Sequence, residues 1–271
     1  MEPFTLPLSN DSMVAGICNL PAPSAFDHKS RPLVVGIHGG TYDCHYFDAN
    51  DKHSASRVSR ALGIPFVAID RPCYGRTGSF LPVPEGSTFE AETGKWLHCY
   101  ILPALWAKFG VPNGCNSIVL LCHSFGVMGG LAAAAMHAQD QAPSYPLAGV
   151  VMSGIGSRSL PQPKRDNENS VNEARNSTEG MVMPPKVKDF LMMPTGTVDP
   201  DVLALTEQLN QPTPFAEMES FFPWMLTCPR IDLSLVQGAP HCMELSYWSQ
   251  GWYSRCFGFA LECSTSFAAR P

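Results

Sequence analysis

The sequence predicts an α/β fold in which helices cover both faces of a mostly parallel sheet. The chain has 271 residues, of which 45% are hydrophobic and 15% charged, enough for one large domain with a substantial core. Short apolar runs bounded by glycine and proline alternate with segments of helical spacing. Parallel strands buried on both faces have this continuous apolar character, so the alternation indicates this class of fold.

The predicted elements follow one another at short intervals along the chain. The runs typical of strands lie at 13–19, 32–40, 64–78, 116–122 and 147–156, with a later one at 230–241. The segments typical of helices are 52–62, 95–110 with a kink at its proline, 126–139 and a closing amphipathic helix at 248–267.

The regular pattern stops after residue 156. Residues 161–180 are polar without periodicity, which is typical of a mobile loop. Residues 181–226 are rich in Met, Pro and Phe, and this composition suits a lid over an apolar pocket. We therefore expect a core made of residues 1–156 and 227–271, with a mobile loop and lid region at 157–226.

Charge and cysteine content exclude several classes of partner. The formal net charge is −6 with no Lys/Arg cluster among aromatics, so nucleic acid is not expected as a partner. None of the ten cysteines forms a C-x-x-C pair, and no glycine run has the G-x-G-x-x-G spacing. We therefore expect no metal, no nucleotide and no other cofactor.

The expected location is the cytoplasm. The first residues lack a basic segment followed by an apolar one, so no signal peptide is predicted. No run of 18 apolar residues exists, so no membrane span is predicted. Free thiols fit a reducing compartment, and the low charge suits a small apolar metabolite as the ligand. The sequence leaves the oligomeric state open.

Residues 119–130, VLLCHSFGVMGG, place a serine between an apolar strand and a glycine-rich helix. A strand–serine–helix turn exposes the hydroxyl of Ser124, and Gly126 lets strand and helix approach closely. His241 follows another predicted strand, and a His-Gly-Gly run at 38–40 follows a third. Because ligand sites of parallel sheets lie at the carboxyl ends of the strands, these groups are expected to meet.

These motifs resemble the serine hydrolases of the α/β-hydrolase fold. GIHGGTYDCHYFD, VAIDRPCYGRTGS, LLCHSFGVMGG and VQGAPHCMELS occur in the family's order. HGGTYDCHYFD together with MPTGTVDPDVL is similar to hydrolases of fungal secondary-metabolite gene clusters. The resemblance implies that Ser124 is the nucleophile and His241 the general base. It also implies an oxyanion hole formed by the backbone N–H of Phe125 with that of Gly40 or Thr41.

Residues close to these motifs are expected to contact the substrate or to hold the loops of the site in place. Tyr42 and His123 are the candidates for contact with the substrate, plain loop structure being the alternative for Tyr42. His38 is expected to pack or hydrogen-bond beneath the oxyanion loop, and Asp70 to fix the loop 72–75 by hydrogen bonding.

The sequence departs from the family pattern in two ways. Cys122 replaces the first glycine of G-x-S-x-G, which a small side chain allows. In addition, no apolar strand ending in an acid separates the lid from the last strand, so the sheet is expected to lack one late strand and the third triad member is unassigned. The carboxylates considered for that role are Asp199, Asp201, Glu217 and Glu219. We expect none of them to match Ser124 in importance.

The predicted activity is hydrolysis of an ester, thioester, lactone or amide of an apolar small metabolite. By the narrower resemblance, the reaction belongs to secondary-metabolite biosynthesis of polyketide or mycotoxin type. Two alternatives use the same pocket: an acyltransferase or cyclase that excludes water, and a binding protein of the same fold that has lost its catalytic acid.

Overall fold

The computed structural model describes residues 1–22, 30–154, 175–194, 196–220 and 241–269. Most of the predicted mobile loop and nearly all of the predicted strand at 230–241 lie outside the described residues. The expected absence of one late strand therefore stays a prediction, as do the domain boundaries. None of the described helices is long and apolar enough to cross a membrane.

The described strands and helices follow the chain in a regular order. The strands are β1 (Glu2–Pro7), β2 (Met13–Asn19), β3 (Pro32–Ile37), β4 (Asp48–Asn50), β5 (His53–Ser54), β6 (Phe66–Ile69), β7 (Ser117–His123), β8 (Leu147–Ser153), β9 (Gly180–Met181) and β10 (Thr213–Pro214). The α-helices are α1 (Ala55–Leu62), α2 (Phe89–Trp96), α3 (Leu102–Leu105), α4 (Gly126–Gln139), α5 (Pro185–Met192), α6 (Pro200–Leu203), α7 (Phe215–Ser220) and α8 (Ser249–Ala268).

Six strands form the main sheet in the order β1-β2-β6-β3-β7-β8. β3 pairs in parallel with β6 and β7, and β7 in parallel with β8, whereas β1 and β2 are antiparallel. The predicted mostly parallel α/β sheet is therefore confirmed. Ile37 pairs with Cys122 at the end of the β3–β7 register, so the residues that follow the two strands emerge side by side.

Apolar side chains alternate between the two faces of the sheet and bury both. Val119 and Leu121 of β7 pack into a cluster with Phe257 of α8. Leu120 of the same strand packs into a second cluster on the opposite face with Leu97. All seven residues of β7 are buried, which explains why the strand reads as one apolar run.

The predicted helix at 95–110 begins earlier and is less regular than the sequence indicates. Thr88 caps α2 by accepting a hydrogen bond from the Ala91 N–H, so the helix begins at Phe89. Wide π-helical turns at 97–101 and 106–110 flank α3, which contains Pro103. Proline lacks an N–H and crowds the preceding turn, so the expected kink takes the form of these wide turns.

The edge strand β1 is absent from the sequence prediction. Its prolines, Pro3 and Pro7, are unusual in strands, yet an edge strand tolerates them because one side needs no ladder bonds. Phe4 and Leu6 are half-buried and alternate with exposed residues, which is the pattern of a strand covered on one face.

The described part of the predicted lid is anchored to the core by buried polar contacts. Arg71, which follows β6, is 1% exposed, and its guanidinium binds both carboxylate oxygens of Glu217 in α7. Tyr74 donates a further hydrogen bond to Glu217 and lies under the Arg71 guanidinium, 4.4 Å from ring centroid to Cζ. These contacts tie α7 to the loop after β6.

Candidate active site

Ser124 occupies a sharp turn between β7 and α4. Its φ is 50°, in the left-handed region that side chains with a Cβ avoid. A Cβ added at Gly126 would come within 2.4 Å of the His38 carbonyl oxygen, and one at Gly130 within 2.4 Å of Cys122 Sγ. The strand and the helix therefore approach as closely as the glycines allow, and Cys122 fits in place of the family's first glycine.

The structure brings Ser124 and His241 together. His241 Nε2 lies 3.1 Å from Ser124 Oγ, a hydrogen-bond distance between residues 117 positions apart in the chain. Burial lowers the pKa of His241 to about 4, with a further lowering by His123 and an opposing effect of Glu244. The imidazole is therefore neutral at pH 7 and can accept the hydroxyl proton.

The turn after β3 packs directly against the serine. A Cβ at Gly39 would lie 2.9 Å from Ser124 Cβ, and one at Gly40 would lie 2.9 Å from the Phe125 ring. The N–H of Thr41 donates to Thr213 Oγ1 at 2.8 Å, whereas no described backbone group accepts from the N–H of Gly40. Of the two alternatives for the second oxyanion donor, the geometry favours Gly40.

Buried polar groups hold this turn from below. His38 Nδ1 donates to the Gly39 carbonyl at 2.7 Å, and His38 Nε2 accepts from the Arg71 N–H at 3.0 Å. Burial lowers the pKa of His38 to about 3, so the ring is neutral and both nitrogens are used. The prediction that His38 hydrogen-bonds beneath this turn is confirmed, whereas the role of the turn in binding an oxyanion stays a prediction. Asp70 accepts from the N–H groups of Cys44 and Arg76, as expected for a residue that fixes the loop.

Lys188 of α5 holds the same turn from the lid side. Its side chain is fully buried, and Nζ donates to the Thr41 carbonyl at 2.9 Å and to the Leu209 carbonyl at 3.1 Å. Nζ also lies 3.7 Å from the centroid of the Tyr42 ring. Burial lowers the pKa of Lys188 to about 8, so the ammonium form still prevails at pH 7.

Tyr42 and His123 are both buried and make contacts within the protein. The Tyr42 hydroxyl lies 3.3 Å from Cys242 Sγ. The His123 ring stacks on Tyr46 with 4.6 Å between centroids, and its Nδ1 lies 2.8 Å from Ser153 Oγ. Contact of Tyr42 and His123 with a substrate stays a prediction.

Glu244 is the residue of this region that the sequence analysis missed. It lies three positions after His241 and is completely buried. Its carboxylate accepts hydrogen bonds from Tyr46 Oη at 2.8 Å, Ser153 Oγ at 2.6 Å and Trp252 Nε1 at 2.9 Å. A lone acid in the apolar stretch CMELSYW was the available signal, since such a residue is rarely buried without partners.

Three of the four carboxylates considered for the triad are described, and each of them pairs with a cation other than His241. Asp199 and Asp201 pair with Lys52 at the surface, and Glu217 binds Arg71. The side chain of Glu219 lies outside the described residues. Within the described chain, Glu244 is the carboxylate whose charge raises the pKa of His241.

Asp43, Cys44 and His45 place potential metal ligands within 4.8 Å of one another. The Asp43 carboxylate accepts from the His45 N–H at 2.9 Å and thereby caps the short helix Cys44–Phe47. Burial keeps the pKa of the Cys44 thiol far above its usual value, so the thiolate that a metal needs is disfavoured. A helix cap accounts for the arrangement.

Residues 34–250 match the model of the alpha/beta hydrolase family. This match spans most of the chain, and the protein therefore belongs to that family. No curated protein matches the chain.

Solved structures with a similar backbone include several enzymes at low identity. An epoxide hydrolase from Vigna radiata is 16% identical, with a TM-score of 0.38, and the alignment covers 64% of this chain and 43% of that one. An N-acyl homoserine lactonase is 11% identical, with a TM-score of 0.45 and coverage of 80% and 66%. A thioesterase domain from the curacin biosynthetic pathway is 13% identical, with a TM-score of 0.46 and coverage of 81% and 71%. The chain thus spans less than half of the epoxide hydrolase.

Proposed function

We propose that the protein is a serine hydrolase with Ser124 as nucleophile and His241 as general base. The observation that carries the proposal is the 3.1 Å approach of His241 Nε2 to Ser124 Oγ at a strained strand–helix turn. A serine hydroxyl is a weak nucleophile until a base accepts its proton, and this arrangement supplies the base.

The chemistry follows from the positions of these groups. Ser124 Oγ attacks the carbonyl carbon of the substrate while its proton passes to His241 Nε2. The N–H groups of Phe125 and Gly40 bind the oxyanion that forms, and one such donor contributes roughly 3 kcal/mol to transition-state stabilisation. His241 then protonates the leaving group, and a water molecule repeats the sequence to release the acid.

The substrate class that we propose is an ester, thioester, lactone or amide of an apolar small metabolite. The support is the apolar character of α5 and the residue that follows it. Met192 and Met193 pack into the cluster that contains Tyr42 and Cys242. Val187, Phe190 and Leu191 are exposed apolar residues of the same helix. A role in secondary-metabolite biosynthesis rests on the resemblance of the HGGTYDCHYFD motif. The described cysteines are free thiols, which supports a cytoplasmic setting.

A binding protein of the same fold is the second candidate. The observation that favours it is that no described carboxylate hydrogen-bonds to His241 directly. An inactive site would leave Ser124 unactivated, so the two functions differ in the reactivity of one hydroxyl.

A fluorophosphonate probe tests the proposal. We expect rapid labelling of the wild-type protein, loss of labelling in Ser124→Ala and in His241→Ala, and unchanged labelling in Ser117→Ala, a matched control at the other end of β7. Hydrolysis of short and long p-nitrophenyl esters by the same variants measures turnover. A folded wild-type protein that neither reacts with the probe nor hydrolyses any ester would support the binding protein instead.

A further inference from the structure

Glu244 is a buried carboxylate without a cationic partner among the described residues. Its two oxygens accept three hydrogen bonds, all from neutral groups. His123 Nδ1 lies 3.5 Å from Oε2, but burial lowers the pKa of His123 to about 3, so this ring is neutral as well. A buried negative charge is costly, and three neutral donors offset that cost only in part.

A continuous set of hydrogen bonds leads from Glu244 to His123. The Ser153 hydroxyl donates to Glu244 Oε1, so Ser153 Oγ accepts at its 2.8 Å contact with His123 Nδ1. This direction places the proton of the neutral His123 ring on Nδ1 and leaves Nε2 as an acceptor. Nε2 is buried and has no hydrogen-bond partner among the described residues.

The unpartnered edge of His123 lies beside the catalytic pair. A Cβ added at Gly39 would lie 3.1 Å from His123 Cδ2, and one added at Gly154 would lie 2.5 Å from its Cε1. The Gly154 position is also 3.1 Å from His241 Cε1, and the two histidine rings are 5.0 Å apart between centroids. The two rings therefore lie next to each other beside Gly154, and a side chain at position 154 would collide with both of them.

The buried tyrosines and cysteines around Glu244 in the described part of the chain stay neutral. Burial raises the pKa of each of them, so none supplies a charge at pH 7: Tyr42, Tyr46, Tyr253, Cys242 and Cys256. Lys188 faces Cys242 and Tyr42 and is bound to the Thr41 and Leu209 carbonyls. Of the residues that the structure describes, His241 is thus the one that can become a cation close to Glu244, at the moment when it takes the proton of Ser124.

We propose that Glu244 is the charge partner of His241 and acts on it as a positioning residue through Ser153 and His123. The proton taken from Ser124 stays on His241 Nε2 until the leaving group accepts it, so no proton has to travel along the hydrogen bonds. The inference rests on the proposed hydrolase function and assigns the task of the missing triad acid.

Three substitutions test the inference by kinetics and by NMR titration of ¹³C-labelled histidine. Glu244→Gln keeps the shape of the side chain and removes its charge. Ser153→Ala breaks the connection while leaving Glu244 its bonds from Tyr46 and Trp252. Glu90→Gln is the control, a buried acidic side chain that lies outside this hydrogen-bond network.

We expect Glu244→Gln to lower kcat about tenfold or more with little change in KM. The pKa of His241 should fall by about one pH unit, because an anion that favours imidazolium is gone. Ser153→Ala should lower kcat and the pKa of His241 by smaller amounts. Glu90→Gln should leave both kcat and the pKa of His241 unchanged.

A folded Glu244→Gln protein with wild-type kcat and an unchanged His241 pKa would overturn the inference. Should Glu244→Gln fail to fold, an unchanged His241 pKa in Ser153→Ala overturns it instead. A wild-type protein that resists the fluorophosphonate probe, with a His241 pKa that still falls in Glu244→Gln, would refute the proposed hydrolase and leave the charge coupling supported.

Discussion

Ser124 holds a backbone conformation that residues with a Cβ avoid. Its φ of 50° costs of order 1–3 kcal/mol, and glycine would bear this conformation without strain. The neighbouring backbone bonds, from the Ser124 N–H to the Ser153 carbonyl and from the Val127 N–H to the Ser124 carbonyl, keep the turn in place. The strain is the cost of holding the hydroxyl against His241.

Removing this strain should stabilise the protein while removing its activity. We expect the free energy of unfolding of Ser124→Gly to exceed that of Ser124→Ala by about 1 kcal/mol. Both variants should be inactive, because neither has a hydroxyl. Urea denaturation at pH 7 measures the difference. A Ser124→Gly protein less stable than Ser124→Ala would show that the turn is not strained.

The rate of the proposed reaction should depend on pH through His241. The base must be neutral, and its pKa is lowered to about 4, so kcat/KM should rise as the pH increases through about 4 and be constant from pH 6 to 8. An ordinary histidine would still be gaining activity between pH 6 and 7. Initial rates of ester hydrolysis, with circular dichroism at each pH to confirm folding, distinguish the two. A midpoint near 6.5 would contradict the burial of His241.

At the residue scale, the sequence indicated local motifs and missed the distant partners. Ser124 and its glycines lie within one short motif, and the structure places His241 beside it, although the catalytic roles stay predictions. Glu244 could not be found in this way. Its donors come from positions 46, 153 and 252, which only the folded chain brings together.

Among the elements, α5 and β10 have the most direct effect on the candidate site. Lys188 of α5 donates to the Thr41 carbonyl, which also accepts from the Gln211 N–H, and Thr213 of β10 accepts from the Thr41 N–H. The backbone N–H and the carbonyl of Thr41 are therefore both hydrogen-bonded to residues of the predicted lid.

Replacing Lys188 by methionine should affect activity more than stability. The loss of its hydrogen bonds costs about 1–3 kcal/mol for each acceptor left unpaired, but removing a charge whose pKa is lowered to about 8 returns a similar amount. We expect the free energy of unfolding to change by less than about 2 kcal/mol and kcat to fall about tenfold, because Thr41 loses one of the three hydrogen bonds that hold it beside the turn.

Lys186→Met provides the control for this experiment. Lys186 lies on the same helix and is exposed, so its replacement should leave kcat and stability unchanged. Steady-state kinetics and urea denaturation of both variants make the comparison. A Lys188→Met protein with wild-type kcat would show that the turn is rigid without the lid.

Elements with a strong local signal were predicted well, and those shaped by their context were not. The helix predicted at 126–139 is α4, and the closing helix at 248–267 differs from α8 by one residue at each end. β1 was missed because its two prolines argue against a strand, and only its position at the sheet edge makes them acceptable. The start of α2 was missed because its cap, Thr88, lies in a polar loop.

At the scale of the whole molecule, burial lowers the pKa of several described histidines, most strongly His38, His123 and His241, and acid should therefore destabilise the protein. Burial lowers the pKa of His38 and His123 to about 3 and that of His241 to about 4. At pH 5 to 6 the unfolded chain therefore binds protons at these histidines that the folded protein does not bind. Glu90 acts in the opposite direction, since burial raises its pKa to about 7 and it holds a proton in the native state.

Between pH 6 and pH 5 the free energy of unfolding should fall by about 2–3 kcal/mol, which corresponds to a net uptake of roughly two protons on unfolding. The neutral histidines contribute this stability fully above about pH 6.5, the pKa of histidine in the unfolded chain. The contribution is lost as the pH decreases toward the pKa values of these histidines in the folded protein. Denaturation at closely spaced pH values measures the slope. A slope of zero or of opposite sign would mean that these histidines are protonated in the native state.

The bonds from Lys188 and Thr213 to Thr41 join the predicted lid to the turn beside Ser124, so we expect access to the proposed site and its activity to be coupled. Any outward movement of residues 188 and 213 that admits a ligand withdraws both of their bonds from the turn beside Ser124. If the protein is the proposed hydrolase, its site would be incomplete while these residues are displaced, and water that enters at that time would find no complete set of catalytic groups. The selectivity of such an enzyme would depend on which acyl compounds let residues 188 and 213 return to Thr41. A compound that keeps them displaced would be turned over slowly even if it binds tightly.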